Sequence, residues 1–371
     1  MKSVKKLSMQ FILLLFCITT FAQGSYNKDV FSKKYIKDKI EKVSLWQLNN
    51  PSERDMRHWT NATFYSGLFS AWQTTKNKSL YQALMGMGDS QNWKPYNRWF
   101  HADDIAICQT YLDLYHKEKK IAMIQPTIDV INKFVAKPYP SKKDIEKIKL
   151  WWCDALFMVP PVFVKLTKET SDKSYLAFND IYYKECYDLL YNKEESLFAR
   201  DLNYVIKEDG STRREKNGEL IFWSRGNGWV MGGLALVLTD LPSTYKERPF
   251  YEQLFKEIAA RIAKLQPEDG LWRTSLLDTE SYSNGEVSGS AFFCYALAWG
   301  INNGLLDESY LPVVKKSWIA LIQCVNDEGR VGWVQPITDS PQAKFSADSS
   351  SESYGPGAFL LAASEVIKLK K

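Results

Sequence analysis

Along most of the chain, apolar residues recur every three or four positions, the spacing that gathers them on one side of an α-helix. Breaks at Gly, Pro, Asp and Asn divide this pattern into about twelve stretches, which begin near Asp29, Ala62, Ser79, Ala102, Ile121, Asp154, Lys173, Gly226, Arg248, Val287, Glu308 and Tyr354. The stretches alternate in character. Every second one, such as ATFYSGLFSAW, IAICQTYLDLY, GNGWVMGGLALVL and SGSAFFCYALAWGI, is small and apolar nearly all the way round. Those between them, such as KSYLAFNDIYYKECYDLL and PFYEQLFKEIAARIAKL, are amphipathic and charged. Helices that are apolar on all sides are buried, and amphipathic ones lie at the surface. Six buried and six surface helices in strict alternation predict an all-α fold, an (α/α)6 barrel of six helical hairpins.

Two segments depart from the pattern. Pro160-Pro161 follows Asp154 too closely for a straight helix, so a kink or early break is expected there. The run from Glu194 to Glu219 lacks helical periodicity and reads as a long loop or short strands. A polar–aromatic cluster stands at the start of each inner stretch: RHWTN, RWFHADD, WWCD, FWSRGN, NGEVSG and SSESYG. If the inner helices run parallel, these clusters meet at one mouth of the barrel and build a pocket ringed by helix N-termini. Helix capping accounts for the Asp, Ser, Asn and Gly in any one of them. It does not account for the His, Arg and Trp repeated beside them.

The beginning of the chain reads as an export signal. Lys2, Lys5 and Lys6 precede the apolar run Phe11–Phe16, and Thr20-Phe21-Ala22 offers a cleavage site. Residues 1–22 are therefore expected to be a signal peptide and residues 23–371 a single catalytic domain, since no linker or change of composition divides them. Export to the periplasm is the expectation, ahead of secretion or a lipid anchor at Cys17, where the bulky Phe16 fits a lipidation site poorly. No later stretch reaches the ~18 uninterrupted apolar residues of a membrane helix, so no membrane partner is expected after signal removal. The formal charge of +5 is modest and dispersed, which argues against a nucleic-acid partner. Nothing in the sequence sets an oligomeric state. Cys108, Cys153, Cys186, Cys294 and Cys324 remain after the signal, an odd number in apolar contexts without a CxxC pair, and are expected to be buried free thiols.

Thirteen Trp and twenty Tyr bias the chemistry. Flat aromatic faces beside hydrogen-bonding groups suit sugar rings. Only three histidines are present, with no HExxH motif, no GxSxG and no phosphate loop, so no metal or cofactor is expected. The candidate reactive groups are the carboxylates Asp103, Asp104, Asp154 and Asp201. Asp154 stands among Trp151, Trp152, Cys153, Leu156, Phe157 and Met158, where desolvation raises a carboxyl pKa and keeps its proton available. Asp103 or Asp104 could be its partner in glycosidic-bond cleavage. The plain alternative is that these aspartates only cap their helices.

HADD followed by QTYLDLY, then WWCDALFM, FWSRGNGW, DGLWRTSLLD, AFFCYALAWGINNGLL and GAFLLAASEVIKL, in that order, resemble glycoside hydrolase family 105. These are unsaturated glucuronyl and galacturonyl hydrolases, including rhamnogalacturonyl and rhamnoglycuronyl types, related to family 88. The resemblance implies the same barrel, no cofactor, and an unsaturated oligosaccharide left by a polysaccharide lyase as substrate. It implies protonation of C4 of the terminal 4,5-unsaturated uronic acid, water addition at C5 and opening of the hemiketal to a 5-keto acid. Asp154 then matches the catalytic acid, with Asp103 as the second aspartate holding sugar hydroxyls and Asp104 beside it. Trp223, Arg225, Asn227 and Trp229 match a substrate-binding motif, joined by His58, Trp59 and Trp152 and by Lys344 in a C-terminal loop expected to close over the pocket. Arg200 falls where other members carry a histidine and is expected to contact the substrate carboxylate or a sulfate. A rhamnose next to the uronic acid is expected, as in products from ulvan or rhamnogalacturonan. The competing readings are an ordinary glycosidase or sugar epimerase on the same barrel, or a non-catalytic oligosaccharide-binding protein.

Overall fold

The alternation of apolar and amphipathic stretches becomes two concentric rings of helices. A computed structural model describes residues 28–138, 148–348 and 352–370; the expected signal peptide lies outside them. The outer helices are α1 (Lys33–Asn49), α3 (Lys78–Ser90), α6 (Gln125–Ala136), α9 (Ser174–Leu190), α11 (Arg248–Lys264) and α13 (Leu311–Gln323). The inner ring consists of α2 (Trp59–Thr75), the pair α4 (Ala102–Ile105) and α5 (Cys108–Glu118), the pair α7 (Ala155–Met158) and α8 (Pro160–Thr170), α10 (Ser224–Asp240), α12 (Val287–Asn302) and α14 (Tyr354–Val366). Each packs on the next, α2 on α5, α5 on α8, α8 on α10, α10 on α12, α12 on α14, and α14 returns to α2. The ring is closed.

Burial follows the sequence pattern. Every residue of α14 is buried, whereas α3 buries only Leu80, Leu84, Met87 and Gly88. The inner helices approach closely where glycine removes the side chain. A Cβ on Gly67 of α2 would stand 2.3 Å from the carbonyl oxygen of Gly357 on α14, far inside van der Waals contact.

Two inner helices are broken. The break after α7 falls where Pro160-Pro161 predicts it, because neither proline can donate to the preceding turn. The freed carbonyls are satisfied from the neighbouring helix: Gln109 Nε2 donates to Phe157 O at 2.7 Å and to Met158 O at 3.0 Å. The break between α4 and α5 contains no proline and the apolar spacing did not reveal it. There the backbone ladder tightens to three-residue steps, Gln109 N to Ala106 O and Thr110 N to Ile107 O. The Glu194–Glu219 region is irregular after a short antiparallel pair, β1 (Tyr191–Asn192) with β2 (Leu197–Phe198). Cys108, Cys153, Cys186 and Cys294 are buried free thiols, and Cys324 is half-buried.

Candidate active site

The starts of the inner helices converge, as the clusters predicted. At that mouth lies a cavity of about 340 Å³ walled by Trp59, Trp152 and Trp223, with Asp103, Asp154 and Arg200 also lining it. Trp59 opens α2 and stacks on Tyr354 at 5.2 Å; Trp152 lies 4.8 Å from the His101 ring; Trp223 donates from Nε1 to Gln335 Oε1 at 2.8 Å. Three indoles thus surround a small polar floor. A larger cavity of about 910 Å³ occupies the opposite mouth, among the helix C-termini. Its main charges already neutralise one another: Lys165 bridges Asp113 and Asp240, and Lys168 pairs with Asp240. The smaller cavity holds the reactive groups.

Neither aspartate of the floor is a helix cap. Asp154 precedes α7 with helical backbone angles and makes no capping bond. At the start of α4 the capping acceptor is His101, whose Nδ1 takes the Asp103 N–H at 3.3 Å. Both carboxyls are held above the ordinary range. Burial pushes Asp103 to about 7, Arg98 opposes the shift, and the charge of Asp154 adds to it. Burial also raises Asp154, while the guanidinium groups of Arg200 and Arg225 pull it back down. Burial, then Arg98, lowers His101 to about 4, so it is neutral, and its Nδ1 faces Asp103 Oδ2 at 3.5 Å.

Arg200 reaches the floor from the residues after β2. Its Nη1 donates to Asp201 at 2.6 Å and its Nε stands 3.8 Å from Asp154 Oδ2. Its carbonyl accepts from Cys153 N at 2.9 Å, which ties this segment to the residue before Asp154.

Other expected site residues serve the architecture. Asp104 is turned to Arg98, taking Nη2 at 2.6 Å and the backbone N–H at 2.7 Å, and does not line the cavity. Asn227 is spent on β2: its Oδ1 accepts from Phe198 N at 2.8 Å and its Nδ2 donates to Phe198 O at 3.0 Å. Trp229 is fully buried among Trp59, Phe157 and Phe292. His58 caps α2 with its ring nitrogen toward Thr60, and desolvation lowers its pKa. Lys344 is exposed and lies outside the cavity lining. Arg225 is sandwiched between the rings of Trp223 and Tyr354 at 4.4 and 4.9 Å and donates to Gln335 O, Pro336 O and Thr338 O.

That last contact locates a wall the motifs missed. Ile337, Thr338 and Asp339 line the cavity from a loop that carries no helical period and no charged motif. Its anchors come from three inner helices: Arg225 of α10, Glu286 at the start of α12, which accepts from Gln335 N at 3.1 Å, and Tyr354 of α14, which donates to Gln335 O at 2.5 Å. The Gln335 side chain closes the loop on itself by donating to Ser340 O and Pro341 O, each at 3.0 Å.

The sequence model of Glycosyl Hydrolase Family 88 matches residues 31–370. The chain is 46% identical over 346 residues to an unsaturated 3S-rhamnoglycuronyl hydrolase of Formosa agariphila, covering 91% of each. It superposes on a solved glycosyl hydrolase family 88 protein from Bacteroides vulgatus with a TM-score of 0.81 at 31% identity, covering 91% of this chain and 100% of that one. A solved structure named as a polysaccharide lyase gives the same TM-score of 0.81 at 34% identity, covering 90% of this chain and 97% of the other.

Proposed function

The chain belongs to glycosyl hydrolase family 88, and on that premise we propose that it removes the 4,5-unsaturated uronic acid from the non-reducing end of oligosaccharides produced by polysaccharide lyases, with a rhamnose as the next sugar. The observation that carries this reading is the floor of the indole-walled cavity, where two carboxyls with raised pKa stand beside Arg200, the single lining cation among the described residues. The name of the Formosa agariphila relative supports the rhamnose. Ulvan or rhamnogalacturonan fragments are the natural sources of such a pair.

The uronate carboxylate pairs with Arg200, and the sugar ring lies against the indoles. Once Arg200 is engaged by the substrate, its hold on the Asp154 charge weakens, and Asp154 keeps its proton more tightly. Asp154 gives that proton to C4 of the vinyl ether, and positive charge develops at C5 and the ring oxygen. Asp103 stabilises that charge and holds sugar hydroxyls. Water adds at C5 and loses a proton to Asp154. The hemiketal opens at the C5–O5 bond, leaving a C5 ketone and a hemiacetal at C1, which collapses to the aldehyde and frees the shortened oligosaccharide and a 5-keto uronic acid. The sequence of residues 1–22 supports work in the periplasm after export, with Gln23 as the mature N-terminus.

The conjugated double bond absorbs in the ultraviolet. Purified protein should erase that absorbance on an unsaturated uronyl–rhamnose disaccharide. A lyase would instead create it on the intact polysaccharide, and a binding protein would leave both unchanged.

A further inference from the structure

Among the described residues, Ile337 is an exposed large apolar side chain, 42% accessible, that lines the reactive cavity. Its exposure is imposed by a rigid frame. Arg225 Nη2 grips the carbonyl before it, Pro336 O at 3.0 Å, and the one after it, Thr338 O at 3.4 Å. Pro336 fixes the backbone on one side, and the Gln335 side chain ties the loop across to Ser340 and Pro341. A buried arginine, only 1% exposed, is thus spent on holding a loop whose apolar side chain gains no core contact. A lone exposed apolar side chain is ordinary on a surface, but this one lines the cavity of the reactive carboxyls, where an apolar wall is a ligand contact.

The position of Ile337 indicates which part of the ligand it meets. Asp154 is buried and Asp103 and Arg200 are half-buried, whereas Ile337, on the same cavity wall, is exposed. A uronic acid held at the charged groups would leave the next sugar toward that exposed side. Most sugar edges are hydroxylated, but a 6-deoxy sugar carries a methyl group at C6. We propose that Ile337 is a specificity-determining residue that reads this methyl group, selecting a 6-deoxyhexose over a hexose beside the uronic acid, with Arg225 as the positioning residue that holds it in place. The inference rests on the proposed uronyl hydrolase activity.

The test uses two unsaturated disaccharides that differ only at C6 of the second sugar, CH3 against CH2OH. The unaltered protein should favour the methyl sugar in kcat/KM by roughly three- to tenfold, the scale of one buried methyl group. In Ile337→Asn, similar in size but polar, that ratio should fall to about one, chiefly through KM on the methyl substrate. Ile337→Val should keep the preference. An unaltered protein with no preference, or an Asn variant that retains it, overturns the assignment. If neither disaccharide is consumed, the hydrolase reading itself fails and the role of Ile337 falls with it; turnover of both without discrimination rejects Ile337 alone.

Discussion

Arg200 Nε stands 3.8 Å from Asp154 Oδ2, buried and without a hydrogen-bond partner. That is too long for a hydrogen bond yet close enough for strong charge coupling. The pair is therefore coupled by charge without being bonded. Arg200→Gln should raise KM about ten- to a hundredfold, the loss of one charge-assisted contact. It should also move the alkaline limb of the kcat/KM profile upward, because Arg200 lowers the Asp154 pKa and its removal lets that pKa rise. An unchanged KM with an unmoved limb would exclude Arg200 from both roles.

Asp154→Asn keeps the shape of the residue and removes the transferable proton. We expect kcat to fall by roughly 10²–10⁴ with KM little changed, since the amide still fills the floor. Thermal stability should not drop, because a buried neutral amide costs less than a buried carboxylate. Full activity in this variant would refute the assignment of the acid.

Asp103 carries a pH signature in stability as well as in rate. Its folded-state pKa is about 7 against an ordinary value of 3.8. Between those limits the folded protein keeps a proton that the unfolded chain has released, so stability is highest below the window and falls as pH rises through it. Asp103→Asn should flatten this slope, leaving the variant more stable at pH 8 by on the order of 1–3 kcal/mol and equal to the unaltered protein near pH 4. Activity should fall together with that gain, the usual exchange at a strained site. Chemical denaturation at the two pH values measures the difference.

The ring of helices was legible because burial on all sides leaves a one-dimensional trace: α10 and α12 are apolar at nearly every position and their partners are not. The Pro160 break was legible because proline acts locally, whereas the break after Ile105 depends on a tightened backbone ladder that no residue type announces. At the site, motifs gave Asp103, Asp154, Trp59, Trp152, Trp223 and Arg200, all of which line one cavity. They could not separate lining from bracing. Arg225 and Asn227 sit in the same motif as Trp223, but the helix turns their side chains onto neighbouring backbone. Ile337 and Thr338 went unseen because their placement comes from tertiary anchors on α10, α12 and α14.

Asn227 offers a test of bracing at a distance. Its amide satisfies both the N–H and the carbonyl of Phe198 in a buried setting, and Arg200 follows two residues later. Asn227→Ala would leave both groups unpaired at a cost of roughly 2–4 kcal/mol and loosen β2 from α10. The released strand would carry Arg200 away from Asp154, so KM should rise several-fold although Asn227 does not line the cavity. Gln, one methylene longer, cannot place its amide opposite the same two backbone groups and should not restore function. Trp229→Phe, which alters only buried aromatic packing nearby, should lower the melting temperature while leaving KM near its original value. A normal KM in the Asn227→Ala variant would mean that Arg200 is held by its bonds to Cys153 and Asp201 alone.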